Sequence, residues 1–386
     1  MTRARAGWYK RPAARAPTSR PARRPPVKLI IQIPCLNERE HLGATFADLP
    51  RAIEGVDEIE VLVIDDGSTD GTGDVAAALG VHHVLRFPRN RGLAAGYSAG
   101  LDACLQLGAD VIVNTDADNQ YRGEDIARLV RPILEGRADI VIGDRETDSI
   151  EHFSPLKRLL QRWGSGVVRR ASGTSVRDST SGFRAVGRKA AATLFVHNRF
   201  TYTLETIIQA GEAGLTIENV AIKTNPKTRE SRLFRSIGSY VRRNGLVIVR
   251  SYSMYWPLRS FGRIAAALLV LGVVLGGRFL YFFITRYPAE SGHTQSLLVA
   301  VGAILLAFVV GLMALLGDLT AANRRLSEET LSRLRLLEAE LVALRAGATG
   351  GDARPRIPGL RSTGAAPWTR GLQPAAAAAA PQEDVG

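Results

Sequence analysis

The sequence predicts an α/β domain with a largely parallel sheet, followed by amphipathic juxtamembrane helices and two transmembrane helices. Short apolar runs alternate with helical patterns from Val27 to about Lys223, which is typical of parallel sheets covered by helices. Two later stretches are apolar over about the 20 residues that a spanning helix needs. An arginine-rich stretch with apolar residues near helical spacing separates these two regions.

Five strands are predicted in the α/β domain, which we place at residues 27–228. They are the runs VKLIIQI, IEVLVID, HHVLRF, DVIVNT and DIVIG, with helical patterns such as EDIARLVRPIL between them. Ligands of such sheets bind beyond the carboxyl ends of the strands. The polar motifs PCLNE, DDGSTDGT and DADNQ follow the first, second and fourth runs, so a site is predicted at that edge.

The composition indicates which kinds of partner the protein binds and whether its termini are ordered. The 386 residues carry a formal net charge of +13, which favours phosphorylated ligands or a membrane surface; we expect no nucleic acid. Cys35 and Cys104 have no metal-site spacing and are interpreted as buried thiols of a reducing compartment. Residues 1–26 lack the apolar region of a secretory signal. We predict a disordered basic arm at 1–26 and a disordered tail at 347–386.

Two spans are predicted within residues 263–317, at Ile264–Ile284 and Ser296–Gly317. Arginines flank the pair on both sides, whereas the short linker TRYPAESGHTQ holds one. The positive flanks predict a multi-pass protein of the cell membrane, with the α/β domain and both termini in the cytoplasm. Two buried core helices of a soluble protein are the alternative.

Amphipathic helices are predicted on either side of these spans. We expect residues 229–262 to lie on the bilayer surface; an ordinary packed helix pair is the alternative. Residues 318–346 are predicted as a cytoplasmic amphipathic helix with leucines at heptad-like positions. A short coiled coil or a partner helix fits that pattern, and the sequence is compatible with a homo-oligomer.

The acidic motif after the fourth strand suggests a metal site. Asp116 and Asp118 lie one residue apart, and their like charges call for a counter-charge. With Gln120 they offer oxygen ligands that suit Mg²⁺ or Mn²⁺. Because substrate phosphates usually complete such a site, the substrate is predicted to be a nucleoside diphosphate compound, whose departure the metal assists as a Lewis acid. A helix-capping turn is the alternative.

The three motifs, in this order and at strand ends, resemble the family-2 glycosyltransferases with a GT-A fold, which is Rossmann-like. The motifs DSTSGFR, TYTLE and TNPKTRESRLFRSI, with the two-span tail, are similar to the branch of dolichyl-phosphate mannose synthases and bacterial polyprenyl-phosphate glycosyltransferases. The resemblance covers roughly Lys28 to Lys223. The chain departs from the branch at Gln161 and Arg162, where a serine–arginine pair is common.

The resemblance implies a membrane enzyme that moves a hexose, mannose or glucose, by inverting displacement. The donor would be a GDP- or UDP-hexose and the acceptor a polyprenyl or dolichyl phosphate. A glycan or glycolipid acceptor is one alternative. An inactive transferase-like membrane scaffold is the other.

The resemblance also implies roles for individual residues. The donor-binding residues are Pro34, Glu38, Asp66, Asp116 and Arg145, the first three at the nucleoside and Arg145 near the phosphates. The metal ligands are Asp116, Asp118 and Gln120. The residues that bind the lipid phosphate are Arg229, Ser231 and Arg232. We assign the catalytic step to Asp118, Arg229 and Arg232, while Arg184 and Glu205 lie in family motifs without an assigned role.

The chemistry of the acceptor supports an arginine segment. A sugar hydroxyl needs a general base to remove its proton. A lipid phosphate has a second pKa of about 6 and is mostly dianionic at neutral pH, so it needs arginines that position it rather than a base. The stretch Thr228–Arg235 meets that need, although attraction to anionic head groups is the alternative.

Overall fold

The structure is a computed structural model of the full chain. It describes residues 26–145, 172–196, 201–226, 252–286, 294–348 and 357–369, together with residues 166, 168–169, 245–246 and 249–250.

The five predicted strands and the helical run after the fourth of them are confirmed. The strands lie at Lys28–Cys35 (β1), Glu58–Asp65 (β2), His83–Arg86 (β3), Val111–Asn114 (β4), Ile140–Asp144 (β5), Arg184–Gly187 (β6), Ile217–Ala221 (β7), Leu360–Ser362 (β8) and Trp368–Thr369 (β9). The helices lie at Leu42–Asp48 (α1), Thr72–Ala78 (α2), Leu93–Gln106 (α3), Asp125–Leu134 (α4), Arg188–Thr193 (α5), Thr203–Glu212 (α6), Pro257–Arg286 (α7) and Thr294–Ala348 (α8).

The described strands form one mixed, mostly parallel sheet in the order β7-β5-β6-β4-β1-β2-β3-β8, with β9 paired to β2. Strands β4, β1, β2 and β3 are parallel neighbours, whereas β6 runs antiparallel to β4 and β5. Leu29 and Ile31 pack on one face of the sheet and Ile30 on the other, and all three are fully buried. Burial on both faces explains why β1 reads as a continuous apolar run.

Parallel pairing brings the predicted motifs to one edge of the sheet. Cys35 at the end of β1 lies opposite Asp65 at the end of β2. Gln32 of β1 lies opposite Asn114, the last residue of β4. The loops that follow β1, β2 and β4 therefore leave the sheet side by side.

The predicted disordered tail at 347–386 is wrong for residues 357–369. Strand β8 pairs antiparallel with β3, and β9 pairs with the first residues of β2. The Trp368 ring lies 5.6 Å from the Phe46 ring, and the Arg51 guanidinium lies 3.6 Å from its centre. The edge of β3 offers unpaired backbone groups to any nearby strand, so two short segments and one aromatic anchor order this part of a low-complexity tail.

Helices α7 and α8 contain the two predicted spans, and both are long and apolar enough to cross a membrane. Their most apolar stretches are 6% and 22% buried, which does not fit the alternative of a soluble core. The helices pack closely: a Cβ added to Gly272 would lie 2.6 Å from Ile304 Cγ1. Buried alanines of α8, including Ala300, Ala307 and Ala314, complete the small-residue contact that is common between spanning helices.

The boundaries of these two helices differ from the prediction. Helix α7 begins at Pro257, within the stretch 229–262 that was predicted to lie on the bilayer surface. Residues 229–244 of that stretch lie outside the described residues. Helix α8 runs unbroken to Ala348, so the second span and the predicted cytoplasmic helix are one element. No proline follows Gly317 within α8, so the chemistry that usually breaks a helix is missing there.

Candidate functional site

The loops after β1 and β2 are tied together by backbone and side-chain hydrogen bonds. Asn37, with a left-handed φ of 54°, donates its backbone N–H to Ser68 Oγ at 3.0 Å. Its side-chain oxygen accepts the N–H of Thr69 at 2.9 Å. The N–H of Glu38 donates to Thr72 Oγ1 at 2.9 Å. These bonds hold PCLNE and DDGSTDGT as one unit at the edge of the sheet.

Asp65, the last residue of β2, and Asp66 directly after it both accept hydrogen bonds from backbone N–H groups around them. Asp66 is 5% exposed, and its carboxylate accepts the N–H groups of Arg91 at 2.7 Å and Gly92 at 2.9 Å. Asp65 is fully buried and accepts the N–H of Ser68 at 2.8 Å. Asp66 thus holds the turn that starts α3. The nucleoside-binding roles of Asp66, Pro34 and Glu38 stay predictions.

The DADNQ loop follows β4 with a tight internal turn. Asp116, Asp118 and Gln120 are all half-buried. The N–H of Gln120 donates to Asp118 Oδ1 at 3.2 Å, and Asn119 between them has a left-handed φ of 54°. The turn therefore keeps the three predicted oxygen ligands in one short loop at the predicted edge.

A buried network lies beneath Asp116. The Asn114 amide donates to the Gly182 carbonyl at 2.9 Å and to the Tyr202 hydroxyl at 3.0 Å, and its oxygen accepts Gln32 Nε2 at 2.9 Å. A Cβ added to Gly182 would lie 3.0 Å from the Tyr202 hydroxyl and 3.3 Å from Asp116 Oδ1. The network thus positions the Asp116 carboxylate against a glycine of the DSTSGFR motif.

The charge of Asp116 acts on the neutral groups around it. Burial, and after it the Asp116 carboxylate, raise the pKa of the Tyr202 hydroxyl. Burial raises the pKa of Tyr121 to about 12, with Arg145 lowering it and Asp116 raising it. Burial and then nearby carboxylates raise the pKa of Cys35, so this thiol stays protonated. The Asp116 charge therefore acts on two phenols and a thiol that stay neutral.

The donor set fits a metal that substrate helps to hold. Among the described residues, no three His, Cys, Asp or Glu side chains come together as a metal site. Asp116 and Asp118 supply two carboxylates, and Gln120 adds a side-chain amide. Mg²⁺ and Mn²⁺ are commonly bound by one or two carboxylates plus substrate phosphates and water, which is what this loop offers.

Arg145 lies in a bidentate ion pair. Its guanidinium donates to both oxygens of Asp178, at 2.7 and 3.0 Å, and to Thr180 Oγ1 at 2.8 Å. Burial would raise the pKa of Asp178, but Arg145 and the bonds from Thr180 lower it below its usual value. Much of the Arg145 charge is therefore compensated within the protein, and its predicted contact with donor phosphates stays a prediction.

Arg184 joins two motifs from a buried position. It is 1% exposed and donates to the carbonyls of Ser181 at 2.8 Å and Ser179 at 3.1 Å, and to Thr206 Oγ1 at 2.8 Å. These bonds connect the DSTSGFR loop to α6, which carries the TYTLE motif and the buried Glu205. Arg184 positions the loop that packs on Asp116.

Sequence reasoning did not single out the residues that surround Asp116 and Arg145. They are Asn114, Asp178, Gly182 and Tyr202. Asp178, Gly182 and Tyr202 lie inside motifs that the sequence singles out, and Asn114 ends a predicted strand. Their position in those motifs was the sequence signal that could have identified them. Their contacts could not be predicted from the sequence, because they join residues up to 88 positions apart in the chain.

The chain that leads into the arginine segment is bonded to the acidic loop. Asn225 donates its backbone N–H to the Gln120 carbonyl and its side-chain amide to the Asn119 carbonyl, both at 2.9 Å. Thr224 forms a β-bridge with Tyr121. Arg229, Ser231 and Arg232 lie outside the described residues. So do Gln161 and Arg162, together with the basic residues Lys157 and Arg158 that precede them. The start of TNPKTRESRLFRSI is therefore in contact with DADNQ.

Comparisons with known proteins agree with this architecture. Residues 30–195 match the sequence profile described as Glycosyl transferase family 2. An uncharacterized protein of Methanocaldococcus jannaschii is 33% identical over 51% of this chain and 81% of its own length. An undecaprenyl-phosphate mannosyltransferase of Micrococcus luteus is 36% identical, over 41% of this chain and 66% of its own length.

A solved structure also aligns with the chain. It is glucosyl-3-phosphoglycerate synthase from Mycobacterium tuberculosis in complex with Mn²⁺, uridine diphosphate and phosphoglyceric acid. The sequence identity is 21% and the TM-score 0.47, over 58% of this chain and 78% of that one.

Proposed function

The chain belongs to glycosyl transferase family 2, and we propose that it moves a hexose, mannose or glucose, from a GDP- or UDP-hexose to a polyprenyl or dolichyl phosphate. The transfer takes place at the cytoplasmic face of the membrane and inverts the anomeric carbon. The bonds between Asn225 and the DADNQ loop carry the proposal. They join the acidic loop to the chain that enters the arginine segment, and that segment precedes the spans in the sequence.

The donor side of the site rests on the loops after β1, β2 and β4. Asp116, Asp118 and Gln120 would hold Mg²⁺ or Mn²⁺, which when bound supplies Lewis-acid stabilisation of the leaving diphosphate. Pro34 near the end of β1, with Glu38 and Asp66 in the loops after β1 and β2, would hold the nucleoside. The hydrogen bonds between the loops after β1 and β2 support this assignment, since a binding site needs its side chains held in place before the ligand binds.

The acceptor side rests on the arginine segment. Arg229, Ser231 and Arg232 would position the lipid phosphate and offset its repulsion from the donor. A dianionic phosphate oxygen attacks the anomeric carbon as the bond from that carbon to the diphosphate breaks. No proton has to be removed, so the reaction needs no general base.

The proposal is tested by a panel of labelled nucleotide sugars with the purified full-length protein and polyprenyl phosphate. We expect one GDP- or UDP-hexose to label the lipid as an acid-labile product. EDTA should abolish the labelling, and Mg²⁺ or Mn²⁺ should restore it. Labelling of a glycan or glycolipid, with none of polyprenyl phosphate, would replace the proposed acceptor. No transfer from any donor to any acceptor would favour the inactive scaffold.

The metal role is tested by Asp118→Ala. Because the variant removes one of two carboxylate ligands, we expect lipid labelling to fall on the order of 100-fold and the Mn²⁺ requirement to rise. Asp74→Ala is the matched control, since the Asp74 side chain is 78% exposed on α2. Unchanged transfer by Asp118→Ala would remove the metal assignment.

A further inference from the structure

The part of α8 beyond the apolar stretch has two distinct faces. One packs on the α/β domain, where Ala321 and Ala339 are 3% and 2% exposed and Arg335 bonds to Asp102 of α3 at 2.9 Å. The other face carries a leucine stripe that the described part of the chain leaves exposed. The exposed fractions are 49% for Leu334, 56% for Leu337, 51% for Leu341 and 70% for Leu344.

The spacing of the stripe is that of a coiled-coil seam. Leu334, Leu337, Leu341 and Leu344 follow one another at intervals of three, four and three residues, which makes them a and d positions of consecutive heptads. The contacts with the α/β domain come from Arg335, at position b, and Ala339, at position f. The seam and the docked face therefore lie on opposite sides of the helix.

Lipid does not account for the stripe. Leu334 lies 17 residues beyond Gly317 in an unbroken helix, which corresponds to about 25 Å along the helix axis. Charged residues occur throughout the intervening and following turns, from Asp318 to Arg345. The leucines lie in the water-exposed extension of the helix, where an apolar stripe marks a protein contact.

We propose that the leucine stripe is a dimerisation surface, which pairs with the same stripe of a second copy of this chain as a parallel two-stranded coiled coil. The charged residues beside the stripe favour a second copy of this chain as the partner. In a parallel coiled coil each g residue faces the e residue five positions further on in the other copy. Arg333 then faces Glu338 of the second copy, and Glu340 faces Arg345 of the second copy, so both pairs join opposite charges.

The present partner of Arg333 does not oppose this pairing. Its guanidinium bonds to Glu329 one turn away on the same helix, and the two side chains are 75% and 58% exposed. Exposed pairs of this kind contribute little to stability. The guanidinium can therefore turn to a second copy at small cost.

The membrane spans favour the pairing of a coiled coil that is too short to be stable by itself. Four leucine layers are marginal for isolated helices in water. When α8 of both copies emerges from one membrane, the helices run in the same direction, and their shared plane raises the effective concentration. Parallel pairing is then the accessible arrangement.

Charge reversal tests the pairing in the full-length protein, with the mass of the complex measured in detergent and in lipid nanodiscs. We expect dimers of the unmodified chain. Arg333→Glu should weaken dimerisation at least tenfold by opposing two glutamates, and Arg333→Glu combined with Glu338→Arg should restore it. A monomeric unmodified chain, or a double variant that dimerises no better than the single one, overturns the proposal.

Cysteine crosslinking in membranes tests the seam itself. Leu344→Cys, at a d position, should form a disulfide-linked dimer under mild oxidation. Ala343→Cys, one position away and off the seam, is the matched control and should not, and the native Cys35 and Cys104 are buried. Equal crosslinking at both positions, or none at either, overturns the proposal. The α/β domain should stay folded in both variants, because neither residue packs on it.

Discussion

Gly182 is a residue whose missing side chain shapes the acidic edge. The DSTSGFR loop passes so close to Asp116 that an added Cβ would lie within 3.3 Å of its carboxylate. Asn114 holds that loop from below through the Gly182 carbonyl. The position of one predicted metal ligand therefore depends on a glycine that comes 66 residues later in the chain.

Gly182→Ala tests this dependence. The new methyl group must displace either the Tyr202 hydroxyl or the Asp116 carboxylate, so we expect transfer to fall on the order of tenfold or more, because small misplacements at a site cost much rate. Gly43→Ala on α1 is the matched control, since nothing lies within 4 Å of an added Cβ there. If both variants transfer equally well, Gly182 does not position Asp116.

At the scale of elements, α8 belongs to the membrane region and to the α/β domain at once. Arg335 bonds to Asp102 and to the Leu194 carbonyl, both at 2.9 Å, and lies 4.0 Å from the centre of the Phe195 ring. Nearer the predicted span, Arg325 pairs with Glu212 of α6 at 2.6 Å. Long arginine side chains thus attach the helix to the domain, which sets the domain's position relative to the spans.

A double-mutant cycle measures the attachment at Arg335. The coupling free energy between Asp102→Ala and Arg335→Ala should be about 1 kcal/mol or less, because the Asp102 side chain is 40% exposed and solvent screens the pair. Arg335→Ala should cost more stability than Asp102→Ala, since it also loses the carbonyl bond and the ring contact. Equal losses in thermal unfolding would show that the ion pair alone holds the helix.

The C-terminal strands are predicted to respond to pH through His82. The N–H of Val61 donates to His82 Nδ1 at 3.0 Å, so the ring's proton is on Nε2, which donates to the Ala366 carbonyl at 3.0 Å. Burial lowers the pKa of His82, although the charge of Glu60 raises it. The docked form therefore binds the proton less readily than the released form, so stability is complete above about pH 6.5 and falls as the pH drops below it.

Hydrogen exchange of residues 357–369 between pH 8 and 5.5, corrected for the intrinsic pH dependence of exchange, measures this release. Protection should decrease on acidification in the unmodified chain and change less in His82→Gln. His83→Gln is the comparison variant, because the neighbouring histidine also bonds the segment, through Ser362 of β8, as well as Glu60. Protection that is independent of pH, or lost equally in both variants, would contradict the role of His82.

At the scale of the whole molecule, the chain is a membrane glycosyltransferase of family 2, and its topology is the open prediction. With the α/β domain in the cytoplasm, Ser291→Cys, in the linker between the spans, should react with an impermeant maleimide added outside intact cells. Glu329→Cys, 58% exposed on α8, should react only after lysis. The reverse pattern would place the α/β domain outside.

Several features of the molecule follow from its sequence alone. Strands β1 to β5 and the two apolar helices were predicted because long apolar runs with their own period bury surface whatever their neighbours are. The acidic loop was predicted at the correct edge because parallel strands end together. Strands β6 and β7 were not predicted, since RAVG and IENVA are too short for a period and form through pairing.

The α/β domain, the family and the two apolar helices can be predicted from the sequence, because each depends on local periodicity or on motifs at strand ends. Other features form only in the folded chain: the Asn114–Gly182 contact beneath Asp116, the ion pair of Arg145 with Asp178, the docking of α8 and the pairing of the tail with β3. Each of these joins segments far apart in the chain. Their stability comes from a partner surface that no local pattern records.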